Sequence, residues 1–275
     1  MSRDKKVQMN HIFSQGEQLF YRESGQGKPI LLLHAGIADS RMWQAQTDAL
    51  GSDFILIAPD LRGFGQSPIP DGPFSHHEDV AALIAGLELE PVWLVGVSFG
   101  AQVAVDFYLA YPERVRGLVL VAPVVSGFVS SEAMAAFDEE EERLLEAGDI
   151  AGATALNMRM WVDGPFRSEE QVNVEVRSRV ADMQYQAFLN PVPDKAELIR
   201  PDRPATQQLE KILAPTLIVL GALDVPAVVE HGKFLAQGIP GARLEVIPGT
   251  AHMPTMERPE AFDRLLADFV AKAGG

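Results

Sequence analysis

The chain has 275 residues, 47% of them hydrophobic, and no cysteine. That length and apolar content suffice for one large core and argue against disorder. The missing thiols exclude disulfides, thiolate metal sites and a cysteine nucleophile, and they fit a reducing, cytoplasmic setting. The formal charge of -15 makes nucleic acid and anionic membrane surfaces poor partners, favours solubility, and tilts the long-range field toward neutral or cationic ligands.

The first ten residues mix Arg3, Asp4, Lys5 and Lys6 with few apolar side chains, unlike the hydrophobic stretch of a secretory signal. No apolar run reaches the roughly 18 residues of a membrane span. Residues 11–13 and 18–21 read as an opening hairpin around Gln15 and Gly16. Strands are expected at 29–33, 54–57, 92–95, 117–121, 216–220 and 244–247. Several are apolar throughout, as strands covered on both faces are. Helical patterns at 41–50, 77–87, 101–111, 228–236 and 259–271 alternate with them, the signature of an α/β fold with a mostly parallel sheet. The acidic run from Asp138 to Glu142 reads as the solvated face of a helix.

The alternation breaks between about 126 and 204, where helices at 131–146, 150–161 and 168–188 follow one another, separated by Gly148 and by Asp163-Gly164-Pro165. This stretch is expected to be an inserted helical cap, dividing a core made of 1–125 and 205–275. Pro191, Pro193, Pro201 and Pro204 mark an irregular return to the sheet.

The chemistry-bearing signal is Gly96-Val97-Ser98-Phe99-Gly100, set between an apolar strand and a helical pattern. A serine at the apex of a sharp strand-to-helix turn is exposed. The flanking glycines are expected to leave room for a substrate carbonyl, and the helix aims its free N–H groups at a developing oxyanion. Serine is a weak nucleophile near neutral pH, so it needs a base and a group to orient that base. His252 follows the strand at 244–247 through a short loop, and Asp224 follows the strand at 216–220. Both therefore fall at the strand edge where open α/β sheets hold ligands, in the order serine, acid, histidine that this turn predicts. Asp224 is equally placed to cap a helix starting near Pro226. The turn His34-Ala35-Gly36-Ile37 follows another strand. Gly36, or alternatively Ile37, is expected to join Phe99 in donating N–H groups to an oxyanion.

These stretches, with Ala58-Pro59-Asp60-Leu61-Arg62-Gly63-Phe64-Gly65-Gln66-Ser67 and Ala251-His252 before Glu257-Arg258-Pro259-Glu260, resemble the α/β-hydrolase superfamily. The resemblance is nearest to its small cap-bearing esterase, lactonase and cofactor-free perhydrolase branch. A looser likeness to enol-lactone hydrolases lies in Asp39-Ser40-Arg41-Met42-Trp43 and Ile239-Pro240-Gly241-Ala242. Ala35, Val97 and Ala101 depart from the residues usual at their places. The resemblance implies a mostly parallel eight-stranded sheet with helices on both faces, Ser98 as nucleophile, Asp224 as triad acid and His252 as base.

Other features attract less chemistry. His76-His77-Glu78-Asp79 reads as helix-start polarity behind Ser75, because neighbours on a helix point apart and no second ligand set accompanies them. His34 either lines the pocket or braces its turn, and Asp60 and Arg62 read as an internal ion pair or turn brace. Gly63-Phe64-Gly65 lacks the rest of a phosphate loop. The cap's apolar residues, among them Met134, Phe137, Met158, Met160, Trp161, Phe166, Met183, Tyr185 and Phe188, are mostly core. Some of them, with Ile37 and Trp161 assigned to the substrate side, should line an apolar pocket. The expected function is hydrolysis of a small ester or lactone through an acyl-enzyme, with no metal and no cofactor. The alternatives are a perhydrolase or haloperoxidase using peroxide as acyl acceptor, a carbon–carbon bond hydrolase with the same triad, and a non-catalytic receptor on the same scaffold.

Overall fold

A computed structural model describes residues 7–89, 91–128 and 131–273. The charged opening residues Arg3 to Lys6 lie outside them. β1 (Gln8–Ser14) and β2 (Glu17–Gly25) pair antiparallel as the predicted hairpin. Then follow β3 (Lys28–Leu33), α1 (Gln44–Leu50) entered through a 3₁₀ turn, β4 (Phe54–Pro59), the two-residue β5 (Pro73–Phe74), α2 (His76–Gly86), β6 (Val92–Val97), α3 (Phe99–Ala110) and β7 (Val115–Val121). After the helices α4 (Glu132–Glu146), α5 (Ile150–Asn157) and α6 (Val174–Leu189) and the short β8 (Glu197–Leu198), the alternation resumes. It continues with β9 (Thr216–Gly221), α7 (Pro226–Gly238), β10 (Arg243–Ile247), α8 (Pro254–Glu257) and α9 (Pro259–Ala273). Eight strands form one sheet in the order β1-β2-β4-β3-β6-β7-β9-β10, parallel from β4 onward. Its eight strands and mostly parallel direction fit the α/β-hydrolase expectation.

Successive residues of a strand point to opposite faces, and here both faces are covered. Ile30, Leu32, Trp93, Val95 and Val119 pack with Trp43, Phe262 and Phe269 beneath α1 and α9. Leu31, Leu33, Leu94, Leu118 and Leu120 pack with Leu83, Phe107 and Leu235 of α2, α3 and α7. Two-sided burial is why these strands read as unbroken apolar runs.

Two pieces of the framework depart from the sequence reading. β5 and β8 pair as a separate two-stranded parallel ribbon, too short to leave a period in the sequence. The helix expected at 150–161 ends as an α-helix at Asn157 and continues as a wider π-type turn, Met158–Asp163, an irregularity often found near functional sites.

Arg62 and Asp60 have separate partners. Arg62 is fully buried and forms a bidentate pair with Asp79 on α2, at 2.9 and 3.0 Å, while donating to the carbonyls of Ser14, Glu17, Gln18 and Pro68. Asp79 is therefore turned inward as a counter-ion in addition to lying in the first turn of α2. Ser75 holds the N-cap position without a side-chain cap bond, and its hydroxyl instead meets His77 Nδ1 at 2.7 Å. Asp60 accepts the N–H groups of Ser40 and Gln66, each at 2.8 Å, bracing two loops at the strand edge.

Asp106 on α3 is buried, and its Oδ1 finds no hydrogen-bond partner among the described residues. Burial pushes its carboxyl up to about 6, with Gln102 and Arg200 opposing the shift only in part. Between its ordinary value of 3.8 and about 6 the folded state holds the proton more tightly, so this residue's contribution to stability falls as pH rises through that window. Asp106→Asn is expected to gain little near pH 4 and about 1–3 kcal/mol at pH 7.5, read from urea midpoints at the two pH values. An equal gain at both would contradict the burial argument.

Candidate active site

The turn from β6 into α3 places Ser98 at φ 52° and ψ -112°, a conformation that costs a non-glycine residue roughly 1–3 kcal/mol unless its surroundings enforce it. They do so by hydrogen bonds. Ser98 N–H donates to Val121 O at 2.9 Å, and Ser98 O accepts the N–H groups of Ala101 and Gln102. The role of the flanking glycines differs from the expected one. A Cβ on Gly96 would strike the backbone of Gly100, and one on Gly100 would strike the carbonyls of Leu33 and His34. The glycines thus clear space for α3 against the sheet, and only indirectly for a ligand.

At the same edge, β9 ends in Gly221 and the chain turns into Asp224. A Cβ on Gly221 would run into Ala251 O, so glycine here lets the loop after β10 press against the end of β9. Leu223 N–H to Thr250 O, at 2.8 Å, ties the two together. The result is a buried pair in which His252 Nδ1 lies 3.0 Å from Asp224 Oδ2 and 3.2 Å from Oδ1. A carboxylate only accepts, so Nδ1 carries the hydrogen and Nε2 is left with a free lone pair. Asp224 Oδ1 also accepts Val225 N–H at 2.7 Å, a local contact that coexists with the histidine bond.

Ser98 and His252 line one cavity of about 410 Å³. No Ser98–His252 hydrogen bond is formed among the described residues, an arrangement common before substrate aligns such groups. Gly36 and Ile37 line the cavity on the side of the loop after β3. A Cβ on Gly36 would meet Phe99 Cβ at an ordinary 3.5 Å, so space alone does not demand glycine there. Phe99 opens α3, where main-chain N–H groups have no partner within the helix. Its ring turns the other way, toward His76 and Phe64.

His34 braces its turn and does not line the cavity. Leu61 N–H donates to its Nε2 and its Nδ1–H donates to Ala35 O, both at 2.8 Å, while burial holds its pKa below the ordinary value. Among the described residues no group of three or more His, Asp or Glu is placed to hold a metal ion. None has a helix long and apolar enough to cross a membrane.

The segment between β7 and β9 roofs the cavity. Trp161, in the π-type turn, lies 4.6 Å from the His252 imidazole between ring centroids, and its carbonyl accepts His252 N–H at 3.3 Å. Phe137 and Phe188 join Trp161 and Ile37 in the lining, with Phe64 and Ile69 from below. Met158 and Met183 are core, whereas Phe166 and Tyr185 face solvent. Three polar residues that sequence reasoning missed, Glu141, Asn157 and Gln184, complete the lining. Glu141 does not share the solvated face expected of the acidic run. It instead shares the inward stripe 134, 137, 141, 144 of α4 with Met134, Phe137 and Leu144, a helical spacing that was legible had the acidic run not been read as a unit.

A clasp holds the roof to the loop bearing His252. Arg167 pairs with Glu257, both nearly buried, and also donates to the carbonyls of Val162, Asp163 and Gly249. Glu257 in turn accepts Ala251 N–H at 2.9 Å, one residue before the imidazole.

A sequence model of the alpha/beta hydrolase family matches residues 30–265. The chain is 29% identical to the 2-hydroxymuconate semialdehyde hydrolase of Pseudomonas putida over 95% of this chain and 94% of that protein. It is 27% identical to 3-oxoadipate enol-lactonase 1 of Acinetobacter baylyi over 84% of each. Among solved structures, a thermophilic esterase from Thermogutta terrifontis superposes with a TM-score of 0.79 at 28% identity, covering 97% of this chain and 99% of that one. With its strand order, its serine turn and hydrolases as relatives along nearly their whole length, the chain belongs to the alpha/beta hydrolase family and is an α/β-fold hydrolase.

Proposed function

We propose that the protein is a serine hydrolase that cleaves a small carboxylic ester or lactone, with Ser98 as nucleophile, His252 as base and Asp224 as the acid that orients it. The observation that carries this reading is the buried His252–Asp224 pair opening onto the same cavity as a serine held in a strained strand-to-helix turn. The fixed tautomer leaves Nε2 free to take the Ser98 proton as Oγ bonds to the substrate carbonyl carbon. The N–H groups of Phe99 and Gly36, with Ile37 as the alternative to Gly36, receive the oxyanion. His252 returns the proton to the leaving alcohol as the carbon–oxygen bond breaks, and water, deprotonated by the same imidazole, then releases the acid and restores Ser98. Ile37 and Trp161 contact the bound substrate, and residues 126–204 serve as the cap that shields it from solvent.

The likeness to a 2-hydroxymuconate semialdehyde hydrolase favours a second reading, cleavage of a carbon–carbon bond by the same residues. Muconates are carboxylates. Among the described residues lining the cavity the only cation is Arg62, which is already committed to Asp79 and four carbonyls. Glu141 adds negative charge to the lining. Both features favour the ester reading. Labelling with a fluorophosphonate followed by peptide mapping tests it: modification confined to Ser98 is the expected result. A folded protein that resists the label would point to the non-catalytic receptor.

A further inference from the structure

At the roof of the cavity the Glu141 carboxyl and the Gln184 amide oxygen offer hydrogen-bond acceptors. Asn157, 2% exposed, donates its side-chain N–H to the Glu141 carboxylate and to Ala153 O at 3.0 Å. That bond holds Glu141 Oε1, and the carboxyl, which also lines the cavity, keeps further acceptor capacity. Gln184, 4% exposed, lines the same space, and its buried Oε1 finds no donor among the described residues. An unpaired buried acceptor is costly, which favours a donor that reaches it. Burial raises the Glu141 carboxyl above its ordinary range, with the Asn157 bond pulling it back. Around these acceptors the lining is apolar: Phe137, Trp161 and Phe188.

From this we infer that Glu141 and Gln184 form a subsite for a hydrogen-bond donor, a hydroxyl, amide N–H or ammonium, carried on the substrate at the end remote from the scissile carbonyl. Asn157 is its positioning residue, holding the Glu141 carboxylate in place. A carboxylate at that end would meet the Glu141 carboxyl, and among the described residues lining the cavity the one cation, Arg62, is already paired with Asp79. The inference rests on Ser98 being the nucleophile. It selects, within esters and lactones, neutral polar and cationic members over acidic ones.

The test uses p-nitrophenyl hexanoate and its 6-hydroxy, 6-acetamido, 6-ammonio and 6-carboxylate analogues, with a second series carrying the same end groups on the alcohol side of an acetate ester. In one series the donor-bearing esters are expected to exceed the carboxylate ester in kcat/KM by about 10- to 100-fold, the range of a charge-assisted hydrogen bond. In Glu141→Gln the ammonium-to-carboxylate ratio should fall about tenfold or more. In Gln184→Met the preference should move toward the unsubstituted chain. Indifference of the wild-type protein to the end group in both series overturns the subsite whether or not the variants fold. So does a Glu141→Gln protein, folded by circular dichroism, that slows every ester equally. Failure of the nucleophile assignment looks different: no ester is turned over and Ser98 takes no fluorophosphonate.

Discussion

Ser98→Ala is expected to lower kcat for any ester the protein hydrolyses by a factor on the order of 10⁶, because in the proposed triad the three residues act as one unit and loss of the proposed nucleophile leaves only oxyanion stabilisation and binding. Burial and packing around position 98 are backbone-dominated, with Ser98 N–H and C=O both engaged, so the melting temperature should stay near that of the parent. Asp224→Asn, which disturbs the tautomer fixed at Nδ1, should cost on the order of 10⁴. Single-turnover hydrolysis of an activated ester measures both. A Ser98→Ala protein within tenfold of the parent would end the assignment.

The largest expected effect on stability lies at Asp79. Truncation to alanine would leave the Arg62 guanidinium buried with carbonyl partners and no counter-ion, and breaking such a pair costs about 3–5 kcal/mol. Arg62 also joins the first hairpin to α2 through Ser14 O, Glu17 O and Gln18 O, so the loss would loosen the β1–β2 edge together with the helix. Urea unfolding of Asp79→Ala should show the deficit. The double variant Arg62→Met, Asp79→Leu should recover much of it, since an apolar pair carries no desolvation penalty. A change below about 1 kcal/mol in the single variant would mean that the pair is hydrated in solution.

The central strands were legible because two-sided burial writes itself as continuous apolar sequence, and the common sheet edge of Ser98, Asp224 and His252 because each follows a strand at its carboxyl end, buried for the first two and an exposed edge strand for His252. What escaped was whatever depends on contacts distant in the chain. The partner of Arg62 is 17 residues away on a helix, and nothing local to Asp60-Leu61-Arg62 names it. Gly96 and Gly100 were visible, yet the job of Gly100 is set by Leu33 and His34 on a neighbouring strand and loop, and that of Gly96 by the backbone of Gly100. The ribbon of β5 and β8 has two residues a side, below any period. Glu141 escaped for another reason: composition was read before spacing, so an acidic run concealed one residue on the apolar stripe of its helix.

The Arg167–Glu257 clasp has a consequence for traffic. Separating the roof from the loop of His252 on that side would strand two nearly buried opposite charges and take Arg167 away from Gly249 O. The loop that carries the imidazole is therefore tied to that side of the roof by a contact that is costly to break, which disfavours a passage for small molecules there.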